Sequence, residues 1–318
     1  MSSKNRGDGT PGNDSSCAGE LSIVPVQSFG PEEQQSLVQA AIEEIRTRDQ
    51  GLALCSLGRV LVTPDLVGAL GELSAQQYKS FPNKPPTGLV CAVHTANEEV
   101  LLVHPGFLSL LISADRDDNA AAVTLLHHEL CRVHEHTQRM LKRQLLMPQC
   151  SKLETLFKNS ALGMWEEYFA SRRAFQSRSD IDESHASVMP MILYQTQQEM
   201  TNTVNDYFLH GNQQKMMTVL VTRVEAFTRH CGLVLGELNA SGQTLNHINA
   251  RADAAINNAC LGRDWYAWTN WLDQLYSTFG HWENPSPFSS LTKSIANLVE
   301  CAGCMLRNKD GQIFVQPN

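Results

Sequence analysis

The spacing of hydrophobic positions changes near residue 105, and this change predicts the fold class. Before it, short runs rich in Val and Leu predict strands at 59–63, 88–94 and 99–103, the last two forming an antiparallel hairpin. From about 107 to 305, apolar residues recur at helical spacing. We therefore predict an α+β fold that is mainly helical, in which a small antiparallel sheet packs on a long helix and a helical C-terminal half follows.

The same pattern predicts three regions. Residues 1–20 are almost all polar or Gly, and they bury too little apolar surface to fold, so we predict a disordered tail. An α+β domain over 21–180 begins with a helix near Pro31. A helical region over 181–318 ends in a short strand at 312–315.

Charge and composition narrow the classes of partner. The chain has 25 Lys and Arg against 33 Asp and Glu, a net charge of −8. Without a basic excess or basic runs, the chain is not expected to bind nucleic acid or anionic membranes in general. No apolar run approaches the roughly 20 residues that a membrane-spanning helix needs. The oligomeric state stays open.

The cysteines and the first residues bear on the compartment. Nine cysteines are scattered without the spacing of a small disulfide-bonded domain, which favours a reducing compartment. The first residues lack a basic start followed by an apolar core, so the expected location is the cytoplasm. Export by a route that needs no such signal is the alternative. Cys301 and Cys304 have no second pair and are interpreted as incidental helix cysteines.

A long helix predicted over 117–146 carries the strongest chemical signal. Its apolar positions recur three and four residues apart as one stripe: Val123, Leu126, Leu130, Val133, Thr137 and Leu141. At about 100° per residue, His128, Arg132 and Glu135 lie on the side opposite Leu130. Four histidines fall within residues 127–136 of a chain that has 11 in total, and this density makes the helix a candidate site.

The segment His128-Glu129-Leu130-Cys131-Arg132 resembles the H-E-x-x-H helix of zincin-type metallopeptidases, with Arg132 in place of the second histidine. In that motif two histidines four residues apart bind zinc, and the glutamate activates the metal-bound water. The resemblance therefore implies a zinc hydrolase of peptide or protein substrates, in which Glu129 is the general base and His128 a metal ligand.

The gluzincin branch of that family takes its third zinc ligand from a glutamate on the next helix. This chain offers Glu166 and Glu167 about forty residues downstream, in an order of hairpin, motif helix and glutamate helix that also resembles the family. Glu167 lies about 60° from the apolar position Met164, whereas Glu166 lies about 160° away. We expect Glu167 to point inward as the third ligand and Glu166 to point outward.

Arg132 raises the second hypothesis about function. A guanidinium stays charged and has no lone pair for zinc, so His128 and Glu167 alone make a weak site. Arg132 can instead replace the metal by pairing with Glu167 or Glu135. The two hypotheses are a zincin-like metallopeptidase, active or degenerate, and a non-catalytic interaction or regulatory protein on a zincin-like scaffold.

Two further groups of residues have a structural and a chemical interpretation. His127, Cys131 and His134 lie about one turn apart along one flank of the stripe, where packing beside the core is favoured. Imidazole and thiolate also suit zinc, so these residues are the alternative metal site, without an assigned fourth ligand. For the aromatic residues concentrated in 265–282, core packing is favoured over a substrate groove.

Overall fold

A computed structural model describes most of the chain, in seven stretches: 32–77, 88–95, 98–141, 152–178, 183–282, 288–309 and 312–317. The predicted tail over 1–20 and the last turn of the predicted motif helix, after Leu141, lie outside the described residues. The predicted class is confirmed, because the fold is mainly helical with a small three-stranded sheet and a separate pair of strands.

The elements are numbered in chain order. The helices are α1 (Glu32–Arg48), α2 (Leu66–Gln77), α3 (Pro105–Leu111), α4 (Arg116–Leu141), α5 (Lys152–Ala174), α6 (Glu183–Ser187), α7 (Met189–His210), α8 (Gln213–Ser241), α9 (Leu245–Ile248), α10 (Ala250–Asn258), α11 (Trp265–Ser277) and α12 (Ser289–Ala296). The strands are β1 (Leu57–Val62), β2 (Val90–His94), β3 (Glu99–Val103), β4 (Cys304–Lys309) and β5 (Gln312–Pro317). In the described residues no helix is long and apolar enough to cross a membrane.

The first sheet has the order β1-β3-β2 and presents its edge strand β2 to α4. Strands β2 and β3 form the predicted antiparallel hairpin, with His94 opposite Glu99. Strand β1 runs parallel to β3, so the sheet is mixed rather than wholly antiparallel. Central strand β3 is buried on both faces: Leu101 packs in the main core, and Leu102 packs in a smaller cluster with α2.

The second pair of strands lies at the end of the described chain. Strand β5 matches the strand predicted at 312–315, and it pairs antiparallel with β4. Strand β4 begins at Cys304, at the end of the region predicted to be helical. Just before it, Gly303 adopts a positive φ of 84°, a conformation that suits glycine and ends the preceding helical turns.

Helix α4 forms where the stripe predicts it. Asp115 precedes the helix and accepts the amide of Asp117 at 2.8 Å, which satisfies a backbone donor of the first turn. Along the stripe, Leu126, Leu130 and Val133 have no exposed surface. The stripe therefore fixes which face of α4 is buried, and the charged face is turned toward β2 and α5.

Helix α5 is the centre of the molecule and packs on α4, α8 and α12. Two glycines of α8 allow this close approach. A Cβ at Gly232 would lie 2.1 Å from the carbonyl oxygen of Met164, and one at Gly236 would lie 2.5 Å from that of Tyr168. Because α8 comes so near, α5 is buried on nearly every side.

The C-terminal half completes the core with aromatic residues. Trp165 of α5 packs against Phe279, Trp282 and Phe288, and Trp268 is fully buried, so the predicted core packing of this aromatic region is confirmed for these residues. Other members of the 265–282 region are exposed, as Tyr266 is.

One cysteine pair departs from the expectation of a reduced protein. Cys260 and Cys301 form a disulfide that joins the start of a short helical turn after α10 to the turns before β4. Cys304, which the sequence places beside Cys301, is a buried free thiol. The two cysteines of the C-x-x-C segment thus do not pair with each other, and the actual partner lies 41 residues away.

Candidate functional site

His128 of α4 and Glu167 of α5 converge across the interface of the two helices. The Nε2 atom of His128 lies 3.4 Å from Oε2 of Glu167, and its Nδ1 atom lies 3.4 Å from Oε1 of Glu129. The predicted convergence of His128 and Glu167 is therefore confirmed as geometry. The imidazole stands between two carboxylates, with about one seventh of its side chain exposed.

Arg132 lies in the same cluster but has a different partner from the one predicted. Its Nη1 donates to both oxygens of Glu129, at 3.1 Å and 3.4 Å. The predicted hydrogen bond to Glu167 or Glu135 is wrong. Glu129 lies three residues before Arg132 on the same helix, which is a spacing at which side chains meet. The charge of Glu167 still acts on Arg132 through space.

The two expected partners of Arg132 are bound elsewhere. Glu167 accepts a hydrogen bond from Arg229 of α8 at 3.2 Å, in addition to its contact with His128. Glu135 accepts from Arg139 at 3.0 Å and from the indole of Trp165 at 2.7 Å. Both carboxylates thus have other cationic or hydrogen-bonding partners, and Arg132 pairs with Glu129.

Glu129 is anchored to the sheet. Its Oε2 accepts the backbone amide of Ala92, in edge strand β2, at 2.7 Å. Burial raises the pKa of Glu129, but the charges of Arg132 and His128 and the Ala92 hydrogen bond outweigh burial and hold the pKa below its usual value. A general base works best with a pKa near the working pH, so this ionised and fully occupied carboxylate is poorly suited to that role.

Four side chains make the cluster electroneutral. Burial lowers the pKa of His128, but the adjacent carboxylates of Glu129 and Glu167 outweigh it and raise the pKa to about 9, so the imidazole is protonated at neutral pH. The pKa of Glu167 stays below its usual range, because Arg132 and His128 outweigh its burial. Glu129 and Glu167 therefore face two cations, His128 and Arg132, while the third cation in contact, Arg229, is shared with Glu225 and Glu166.

A zinc ion, which the family resemblance implies, does not fit these residues as they are arranged. Arg132 has no lone pair to offer, and the two nitrogens of His128 each lie 3.4 Å from a carboxylate oxygen, of Glu129 and of Glu167. With a pKa of about 9, His128 must lose a proton before it binds a metal, which lowers the apparent affinity about 100-fold at pH 7. We find one weak ligand pair, His128 and Glu167, where three ligands are needed.

The expectation for Glu166 is wrong. Its side chain is 10% exposed against 15% for Glu167, so both glutamates point inward. Glu166 accepts from Arg139 at 2.6 Å and lies 3.9 Å from Arg229. Burial raises its pKa, but these arginines lower it to about 2. The helical wheel failed here because α5 is enclosed by its neighbours and has almost no outward face.

The alternative metal set is only partly brought together. Among the described residues, His127 and Cys131 form a buried group with Asp49 of the segment after α1, and His134 is not in it. His134 instead accepts the amide of Ala53 at 2.9 Å. Burial and Arg173 lower the pKa of His134 to about 4, so it is a neutral core histidine.

Asp49 already has a cation. Arg173 donates to both of its oxygens, at 2.6 Å and 2.8 Å, and His127 lies 3.2 Å away. Burial raises the pKa of Asp49, but these partners outweigh it and hold it below its usual range. Burial also raises the pKa of Cys131 well above its usual value, so the thiol stays protonated. The positions of His127, Cys131 and His134 are therefore explained by packing beside the core.

A second group of potential metal ligands was not assigned a role from the sequence. His94 of β2 and His136 of α4 both direct Nδ1 at the carboxylate of Glu99, which lies on β3. Their ligand atoms all lie within 4.8 Å of one another. The spacing of His136 could have indicated a role, because His128, Arg132 and His136 follow one another at four-residue intervals on one side of the helix. The pairing of His94 with Glu99 depends on the hairpin register.

Comparison with known proteins finds no matching family model, no matching curated protein and no matching solved structure. The resemblance to zincin-type metallopeptidases therefore rests on the motif residues and on the order of the elements alone.

Proposed function

We propose that this chain is a non-catalytic interaction or regulatory protein on a zincin-like scaffold, in which Arg132 and protonated His128 replace the catalytic metal. The observation that carries the proposal is the electroneutral cluster around Glu129. Arg132 donates to Glu129 at 3.1 Å, and His128 lies 3.4 Å from both Glu129 and Glu167. Two protein cations supply the charge that a zinc ion would supply.

The geometry explains how such a scaffold stays folded without metal. A buried carboxylate is costly unless a cation or hydrogen bonds accompany it. Glu129 has the guanidinium of Arg132 and the amide of Ala92, and Glu167 has His128 and Arg229. A histidine at position 132 would leave the carboxylates short of one positive charge until a metal ion bound.

The alternative function is a working zincin-like metallopeptidase with a peptide or protein substrate, and one observation favours it. His128 and Glu167 converge from facing helices, as that family requires of its metal ligands. For catalysis Arg132 would have to leave Glu129, and a further ligand would have to enter. Glu129 would then act as general base to a metal-bound water.

Zinc content of wild type and of Arg132→His distinguishes the two functions. The substitution restores histidines at positions four residues apart, so we expect Arg132→His to bind one zinc ion more than wild type. The additional ion should be lost again when Glu167→Gln is combined with Arg132→His. Arg172→His, which places a histidine on α5 away from the cluster, is the matched control and should bind no additional ion.

Two outcomes would contradict the proposal. One is a wild-type zinc ion that both His128→Gln and Glu167→Gln abolish, because the cluster would then be a metal site despite Arg132. The other is chelator-sensitive cleavage of an unfolded protein substrate by wild type but not by Glu129→Gln. Either outcome favours the metallopeptidase.

A further inference from the structure

We propose that His94, Glu99 and His136 bind one divalent transition-metal ion, with zinc as the representative, at a site about one helical turn along α4 from Arg132 and two turns from His128. The site does not depend on the function proposed above, because it shares no residue with that cluster. At 1.5 Å per residue, His136 lies about 12 Å along α4 from His128.

Glu99 is a buried carboxylate that lacks the usual cation. Its side chain is 3% exposed, and its partners in the described part of the chain are the two imidazoles, without a guanidinium or ammonium group in hydrogen-bond contact. The guanidinium of Arg139, on which the charge of Glu99 acts through space, donates to Glu135 and Glu166 instead. In the Arg132 cluster each carboxylate contacts a guanidinium, whereas among the described residues the carboxylate of Glu99 contacts imidazoles alone.

The two imidazoles lie close to each other. The rings of His94 and His136 are stacked, with centroids 4.0 Å apart and planes 21° apart. Both Nδ1 atoms are directed at the carboxylate of Glu99, and the ligand atoms of the three side chains all lie within 4.8 Å of one another. One metal ion placed among these atoms would contact both imidazoles and the carboxylate at once.

The ligands are held by three rigid elements. Glu99 begins the buried central strand β3, and His94 ends β2 directly opposite it. His136 lies on α4, five residues before the helix ends at Leu141. The Nε2 atom of His94 is buried and has no hydrogen-bond partner among the described residues, so the ring is held by its hydrogen bond to Glu99 and by stacking on His136. Side chains on strands and helices hold a metal more firmly than side chains on loops.

The ligand set selects the class of metal. Two imidazoles and one carboxylate suit zinc and related divalent transition metals, whereas calcium and magnesium prefer oxygen ligands throughout. Three protein ligands leave a fourth position for water. The side chains of His94 and His136 are 18% and 16% exposed, so water can reach that position.

Zinc titration of the metal-free protein by calorimetry tests the site. We expect one ion per wild-type chain, and weaker binding in His136→Gln and in His94→Gln by more than the roughly 10- to 100-fold that loss of an outer-shell partner costs. His247→Gln, at an exposed position of α9, is the matched control and should bind zinc like wild type. A wild type that binds no zinc overturns the proposal.

A second measurement needs no variant to fold. X-ray absorption of zinc-loaded wild type should show nitrogen and oxygen ligands with imidazole scattering and no sulfur. A sulfur ligand at roughly 2.3 Å would place the ion at a cysteine, such as Cys131 in the group with Asp49 and His127, and would refute the proposal. If His128→Gln loses the zinc ion and His136→Gln keeps it, the ion lies in the Arg132 cluster. That result would refute the site at Glu99 and would also contradict the function proposed for the Arg132 cluster.

Discussion

The protonated imidazole of His128 makes the stability of the fold depend on pH in a defined direction. The pKa of His128 is about 9 in the folded chain and 6.5 in the unfolded chain. A raised folded pKa means that the stabilisation is complete below pH 6.5 and is lost as pH rises through 9. This difference in pKa corresponds to about 3 kcal/mol, for a side chain that is only 14% exposed.

The assay is urea unfolding of wild type and His128→Gln at intervals from pH 6 to pH 10. Glutamine keeps a polar side chain but cannot carry the charge, so the difference in free energy of unfolding between the two proteins isolates His128. We expect that difference to fall by about 3 kcal/mol between pH 6 and pH 10. Titrating groups outside the cluster contribute equally to both proteins and cancel.

His134→Gln is the matched control. The pKa of His134 is lowered to about 4 because the ring is buried beside Arg173, so it is neutral in both states above pH 7.5. The difference in free energy of unfolding between His134→Gln and wild type should therefore stay constant from about pH 8 to pH 10. Parallel curves for His128→Gln and wild type from pH 6 to pH 10 would mean that His128 is neutral, and the charge balance assigned to the cluster would be wrong.

Three further substitutions test the packing and the charges. Arg132→Met should lower the free energy of unfolding by about 3–5 kcal/mol in urea unfolding, because it leaves Glu129 and Glu167 with one cation fewer; a loss below 1 kcal/mol would contradict the pairing. Glu166→Gln should destabilise the fold about as much as Glu167→Gln, because arginines bind both carboxylates. If Glu166→Gln leaves the free energy of unfolding unchanged, Glu166 points outward as the sequence predicted. Gly232→Ala should destabilise by at least about 1–3 kcal/mol in thermal unfolding, because its Cβ would lie 2.1 Å from a backbone oxygen. Gly71→Ala, whose Cβ would meet nothing within 4 Å, should be neutral or stabilising, and equal effects would refute the tight α5–α8 approach.

Local periodicity predicted much of the fold. The stripe on α4, the hairpin of β2 and β3 and the strand at 312–315 all follow from patterns within a few residues, and all are present. The parallel pairing of β1 with β3 and the Cys260–Cys301 disulfide join distant segments. No spacing in the sequence identifies such partners, because they depend on how the elements pack.

In the site, too, contacts set by local spacing could be predicted and contacts set by packing could not. The helical wheel brought His128 and Glu167 together because both face the α4–α5 interface. It misplaced Glu166 because the side of α5 that a wheel treats as solvent faces Arg139 of α4 and Arg229 of α8. The partner of Arg132 was also out of reach, because Arg229, which engages Glu167, lies 62 residues further along the chain.

Anomalous diffraction at the zinc absorption edge, from zinc-soaked crystals of wild type, tests most directly whether Arg132 and His128 replace the metal ion. We expect no anomalous peak between His128 and Glu167, with the guanidinium of Arg132 in contact with Glu129. A peak between His128 and Glu167, with Arg132 displaced from Glu129, would contradict it.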